Sequence, residues 1–271
     1  MTSHSAGRAE VFEALEAEFP CRSWARAVAI GLVALGAGAG PALADCGDEP
    51  GPGVDWSSCQ KARLMIPGED LSGGAFAETY FTSTDMAGAN LAGADLSRAE
   101  LSMASFAAAN LAGANLEKAT GSRTDLSGAD MRKARMTGAE LSRSSFMNAN
   151  LAGAVLAGSE MNRSDFRGAD LSGADMSKAE LARINLTEAR ISGVSFSYSN
   201  LSRSDLQGVD LGDADLTGSY LFIARIGGAD LSRTVGLTQG QVDIACGTAE
   251  TRLPPGLTPP PSWPCPEYDD D

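Results

Sequence analysis

Histidine is almost missing from this chain: of 271 residues one is a histidine, His4. Beyond it there is no imidazole for general acid–base work, for pairing with a nucleophile or for a metal ligand set. Cysteine is sparse, at Cys21, Cys46, Cys59, Cys246 and Cys265, and no spacing of metal-ligand type occurs. A glycine-rich phosphate loop is absent. Basic charge is the minority sign, with 21 Lys and Arg against 35 Asp and Glu, a net charge of −14. The apolar run 27–40 is too short to span a bilayer comfortably. These absences leave no catalytic, cofactor-binding or metal residue to nominate, and the chain reads as non-enzymatic.

What the chain has instead is a period of five. Between Asp70 and Arg233 a large apolar residue returns every fifth position, from Leu71, Phe76, Phe81, Met86 and Leu91 to Leu231, and only Gly121 breaks the rank. Two residues before each apolar site sits a small one, such as Ala89, Ala94, Thr124, Ser144 or Ser164, and between the two there is usually Asp, Asn or Glu. Five matches neither the 3.6 of a helix nor the 2 of a strand. A fixed period over so long a run means a stacked array. Each unit then makes one short extended side and a turn, with the large and the small residue sharing a narrow, close-packed interior. Successive coils hydrogen-bond at about 4.8 Å.

The units ANLAG at 89–93, 109–113 and 149–153, ADLSR at 94–98 and ADLSG at 169–173 resemble the pentapeptide repeat family. The resemblance covers roughly three-fifths of the chain. It implies an all-β fold: a right-handed quadrilateral β-helix of about eight to nine coils, four units per coil. The sequence carries its own check on the four sides, because Arg123, Arg143, Arg163, Arg183 and Arg203 recur at twenty residues and would stack on one edge. Glycines such as Gly93 and Gly113 fall where a turn tolerates positive φ. The Phe106, Phe146 and Phe166 column belongs to the core. Gly121 would leave a gap between Leu101 and Leu141, so Gly121→Leu is expected to raise the melting temperature.

Four segments follow: a leader and signal peptide at 1–44, an N-terminal cap with an irregular first coil at 45–69, the β-helix at 70–233, and a C-terminal cap with an acidic tail at 234–271. Arg22 and Arg26, the apolar run and Ala42-Leu43-Ala44 are the three parts of an export signal; an uncleaved anchor is the other possibility. Cleavage after Ala44 would remove His4 and Cys21 and leave no membrane span in the mature chain. Four cysteines would remain, with three possible connectivities. Cys46–Cys59 and Cys246–Cys265 are favoured because crossing pairs would have to bridge the stacked body, against a Cα separation of at most about 7 Å; four free thiols are the alternative. Trp56 fits the phase as an inward residue, while Lys61 and Pro67 are expected to make the first coil irregular. Beyond Leu231, Leu237, Thr238, Gln241 and Val242 suggest a capped short helix that Gly247 can end. The Pro-rich stretch 253–265 would lie extended across the last coil.

The repeat body carries 15 Lys and Arg against 20 Asp and Glu, so it is only mildly acidic. Asp85, Asp125, Asp165 and Asp205 recur at forty residues, about 10 Å apart in stacked coils. That is too far for paired-carboxylate chemistry, and calcium needs six or more oxygens around one ion. We take them as solvated charges. Some members of the resembled family mimic duplex DNA and shield DNA gyrase, and such a DNA-mimic role is the alternative function. It wants a strongly anionic side and an intracellular address, so nucleic-acid machinery is not the expected partner. Flat ranks of Thr, as for ice binding, are absent. The expectation is a periplasmic or secreted scaffold presenting its sides to a protein or an anionic envelope component, of undetermined oligomeric state. The arginine column is the candidate edge. Glu140, Glu160 and Glu180, three residues before three of the arginines, offer the competing reading of an ion-pair ladder. Intact-mass measurement of exported protein should show a start at Asp45 and the loss of four hydrogens; a full-length mass or four alkylatable thiols would contradict the signal and the two bonds.

Overall fold

The computed structural model describes residues 45–265; the leader and signal segment, with Cys21 and the expected cleavage site, and the end of the acidic tail lie outside the described residues. Each five-residue unit solves the same accounting problem, because every backbone donor taken from water needs a partner. In the unit at 71–75, Leu71 N–H donates to Asn90 O (2.7 Å) and Gly73 N–H to Ala92 O (2.9 Å), both one coil ahead. Ala75 N–H donates back to Val54 O (2.9 Å), and Gly74 N–H closes the turn on Leu71 O (3.1 Å). One donor is left, the N–H of Ser72, and the Asp70 carboxylate accepts it at 3.1 Å.

That fifth bond gives the Asp or Asn of each unit its purpose. The same contact recurs from Asp95 to Ser97 (3.0 Å), from Asn110 to Ala112 (3.2 Å), from Asp125 to Ser127 (3.0 Å) and from Asp175 to Ser177 (3.0 Å). It is an Asx turn, for which Asp and Asn have the right length. The repeat carboxylates are thus structural acceptors and not simply solvated charges, as their spacing suggested. Asp70 and Asp230 lie below the ordinary carboxylate range chiefly because Ser72 and Ser232 hydrogen-bond to the charged form.

The coil step is twenty residues throughout the regular body. Single-residue parallel bridges join Asp55 to Ala75, Gln60 to Tyr80, Met65 to Asp85 and Asp70 to Asn90, and continue to Asp215 with Val235. Four sides follow, named here by their inward residues: side 1 from Leu71, side 2 from Phe76, side 3 from Phe81 and side 4 from Met86. Each corner is a turn whose second central residue has positive φ, for example 64° at Gly73 and 61° at Arg143. At 211–214 the positive φ moves one residue early, to Gly212 (51°), and Asp213 Oδ1 accepts from Gly193 N–H at 2.7 Å. Large and small inward residues are buried together, and Phe146 and Phe166 stack with centroids 4.6 Å apart.

The regular ladder already runs through 55–69, so Lys61 and Pro67 do not disturb the first coil as expected. Lys61 takes the inward site of side 3, with its ammonium 3.8 Å from the Trp56 ring centroid, which offsets part of the cost of burying it. Burial pulls its pKa down, against the charges of Asp48, Glu49 and Asp45. The Cys46–Cys59 bond closes this end with Cα atoms 5.5 Å apart, and Cys246–Cys265 the other end with 5.3 Å. Helix α1, Gln239–Ile244, follows N-cap Thr238. Gln241 Oε1 accepts from Thr238 N–H (2.9 Å), while its Nε2 donates to Leu216 O (2.8 Å) and Ser219 O (2.9 Å), pinning the helix to the last coils. Gly247 does not end the helix. A Cβ there would lie 2.4 Å from the Trp263 ring, so glycine is what lets that ring reach Ala245 O with its N–H at 2.7 Å.

Gly121 also differs from expectation. A Cβ at this site would come within 3.0 Å of Thr124 Oγ1 and 3.1 Å of the Leu101 carbonyl carbon, so the backbone has moved into the space a side chain would fill. The turn opens in response: Thr124 N–H donates to Ser144 Oγ at 3.1 Å, and Thr124 Oγ1 to Leu101 O at 2.9 Å. The missing volume appears outside as an open depression of about 260 Å³ on side 3. Gly121→Leu should therefore lower the melting temperature, by an overpacking cost of about 1–3 kcal/mol. A rise in thermal unfolding would show that the backbone returns outward to admit the leucine.

Candidate interaction surface

Each side shows solvent three columns: the residue before the inward apolar one and the two after it. On sides 1, 2 and 4 the first column is rich in Asp and Asn, and the arginines lie within reach of these or of stacked acids. Ion pairs form at Arg98–Glu78 (3.2 Å), Arg132–Asp130 (2.6 Å), Arg135–Glu117 (2.5 Å) and Arg167–Asp165 (2.6 Å). Arg190–Asp170, Arg225–Asp205 and Arg233–Asp210 (3.5 Å each) and Arg252–Asp230 (3.2 Å) complete the set. The Arg132 guanidinium hydrogen-bonds to Asp130 and holds its carboxyl below the usual range.

Side 3 is different. Its third column is Arg63, Ser83, Met103, Arg123, Arg143, Arg163, Arg183, Arg203 and Ile223. Among the described residues none of these six arginines has a carboxylate within the 4.0 Å of an ion pair, and every other arginine does. The physical reason is stacking. From Arg123 to Arg203 a coil step of twenty residues places arginine above arginine, and above Arg63 it places Ser83, so the acidic neighbour that serves Arg98 or Arg225 is missing here. The competing ion-pair ladder with Glu140, Glu160 and Glu180 is not formed. Those glutamates precede the inward residue on the side itself, whereas the arginines stand on the corner turn that follows, at positive φ. Guanidinium groups about 5 Å apart repel by about 0.8 kcal/mol even in water.

The first column of side 3 is equally unusual. It reads Tyr80, Glu100, Thr120, Glu140, Glu160, Glu180, Asn200 and Tyr220, with Glu where the other sides use Asp or Asn. Glu100 still accepts from Ser102 N–H at 3.0 Å. Burial pushes its carboxyl up, and hydrogen bonds from Ser102 and Thr82 outweigh that and leave it lowered. Glu180 accepts from Asn200 Nδ2 at 2.8 Å. The Glu140 and Glu160 carboxylates have no hydrogen-bond or ion-pair partner among the described residues, and both line the depression over Gly121 with Glu100, Thr120 and Ser122. Sequence reasoning missed the end of this face, where Tyr220 and Phe222 stack with centroids 6.0 Å apart and stay 50% and 40% exposed. Their outward position in the five-residue phase was the available signal. Among the described residues there is no group of three or more His, Cys, Asp or Glu able to hold a metal, and no helix long and apolar enough to cross a membrane.

The pentapeptide repeats profile, in eight copies, matches successive segments from 75–107 to 199–235. The chain belongs to the pentapeptide repeat family. Proteins of this family fold as right-handed quadrilateral β-helices. Among solved structures the chain is similar to HetL, a pentapeptide repeat protein involved in heterocyst differentiation regulation from the cyanobacterium Nostoc sp. strain PCC 7120. The identity is 24%, over 74% of this chain and 86% of that one, with a TM-score of 0.37. A trypsin-treated form of QnrB1, a plasmid-mediated fluoroquinolone resistance protein, is 21% identical over 71% and 90%, with a TM-score of 0.41. A pentapeptide repeat protein of the Arabidopsis thaliana thylakoid lumen is 26% identical over 51% and 77%, with a TM-score of 0.24. No curated protein sequence matches the chain.

Proposed function

We propose that this pentapeptide repeat protein is a non-enzymatic, exported scaffold, periplasmic or secreted, that engages an acidic partner along side 3 through Arg123, Arg143, Arg163, Arg183 and Arg203. The observation that carries the proposal is the division of the arginines among the described residues: those off this column are in ion pairs, and those on it have none. Arginine suits carboxylate recognition through its planar fork of donors. A column held by backbone bonds such as Arg143 N–H to Asn162 O and Arg163 N–H to Ala182 O, both 2.9 Å, presents those forks on a rigid edge. Preorganisation of this kind lowers the cost of binding. Export is supported by Arg22, Arg26, the apolar run and Ala42-Leu43-Ala44, and by the half-cystine pair at each end of the solenoid. A DNA-like role asks for a strongly anionic side, and side 3 carries more arginine than glutamate.

A protein of net charge −14 should not adhere to a polyanion unless it carries a local basic edge. Retention on immobilised poly-glutamate at low salt is therefore expected, with release as salt rises. Arg143→Gln, Arg163→Gln and Arg183→Gln together should abolish most of that retention and leave the melting temperature nearly unchanged, since no intramolecular pair is broken. Equal retention of the triple variant would defeat the proposal.

A further inference from the structure

We infer that the acidic partner of side 3 is side 3 of a second copy of this chain, docked face to face with both solenoids running in the same direction. The inference rests on the arginine column being a docking edge, and it adds the identity of what docks. Three observations meet on this side and its corner: among the described residues, arginines without carboxylates in the third column, glutamates without cations in the first, and small residues such as Ser122, Ser142 and Ala182 between them.

A two-fold axis parallel to the solenoid and lying in the interface exchanges the first and third columns while keeping each coil at its own level. Arg143 of one copy then faces Glu140 of the other, Arg163 faces Glu160, and Arg183 faces Glu180, each rung formed twice by symmetry. Register is automatic, because both columns repeat with the same coil rise of about 4.8 Å. At the C-terminal end the same axis sets Tyr220 against Ile223 and brings the two Phe222 rings together, apolar on apolar. The antiparallel arrangement instead lays arginine on arginine and glutamate on glutamate. Charge thus selects one of the two symmetric dockings. A strip one side wide and, from Thr120 to Tyr220, about 24 Å long belongs to the smallest class of interface. The association is consequently weak, concentration-dependent and sensitive to salt.

Sedimentation velocity of the purified protein over a concentration series tests this. The expected result is a monomer–dimer equilibrium at low salt that shifts to monomer at high salt. Arg143→Glu, Arg163→Glu and Arg183→Glu together should weaken dimerisation by at least about tenfold, and so should Glu140→Arg, Glu160→Arg and Glu180→Arg together. Mixing the two variants should restore a dimer, because each then meets opposite charge in both columns. This rescue separates lost contact from misfolding, and circular dichroism melting of each variant checks folding directly. A protein monomeric at every concentration, or a mixture that stays monomeric while both variants are folded, overturns the self-docking. If such a monomer is still held on poly-glutamate through the arginines, the acidic-partner reading survives with a different occupant. If it is not held, both fall.

Discussion

One hydrogen bond recurs along this protein: wherever a unit has Asp or Asn before its inward apolar residue, the side-chain oxygen accepts the single backbone N–H that neither the coil-to-coil ladder nor the turn can use. Of five donors in a unit, three go to neighbouring coils and one closes the turn, as at Leu71, Gly73, Ala75 and Gly74. The fifth faces the solvent side of the turn, where the side-chain oxygen takes the place of water, and a hydrogen bond of this kind contributes about 0.5–1.5 kcal/mol. The consensus of the repeat follows. A small and a large residue fill the interior, an Asx residue between them meets the leftover donor, and the residue at positive φ is free to vary if it tolerates a left-handed corner.

That freedom explains why side 3 can differ without loss of fold. Its first column holds Glu, Thr and Tyr in place of Asp and Asn, and the turn bond is partly surrendered: Glu100 keeps it, while Glu140 and Glu160 do not. Its third column holds arginine where side 1 mostly holds glycine. Both departures lie on the same side, and among the described residues the arginines from Arg123 to Arg203 and the carboxylates of Glu140 and Glu160 make no ion pair. Sites where a chain breaks its own local rule without compensation are where function is to be sought, and the proposed acidic partner gives both columns something to bind.

Much of the fold was legible because its period is rigid. Inward and outward positions follow from the phase of Leu71 to Leu231, and the twenty-residue return of Arg123 to Arg203 counts the sides. The local cysteine pairs follow from the length of the body between them. What could not be read was local and three-dimensional. The Asx bond was hidden because one-dimensional spacing does not show which N–H lacks a partner. Gly121 looked like a void because backbone movement toward Leu101 is invisible in a pattern. Gly247 looked like a helix end because Trp263, sixteen residues on, supplies the crowding that requires it. The charged ladder failed for the same reason, since the corner turn that carries Arg143 at positive φ is invisible in the spacing from Glu140.

Amide hydrogen exchange, residue by residue, tests the central claim most directly. The N–H groups of Ala92, Ala112 and Ala152 are held by Asn90, Asn110 and Asn150, whereas those of Ser142 and Asn162 have no acceptor among the described residues. All sit at the same turn position, and they differ in this bond. The account predicts protection at Ala92, Ala112 and Ala152 and fast exchange at Ser142 and Asn162. Equal, fast exchange at all five would contradict it.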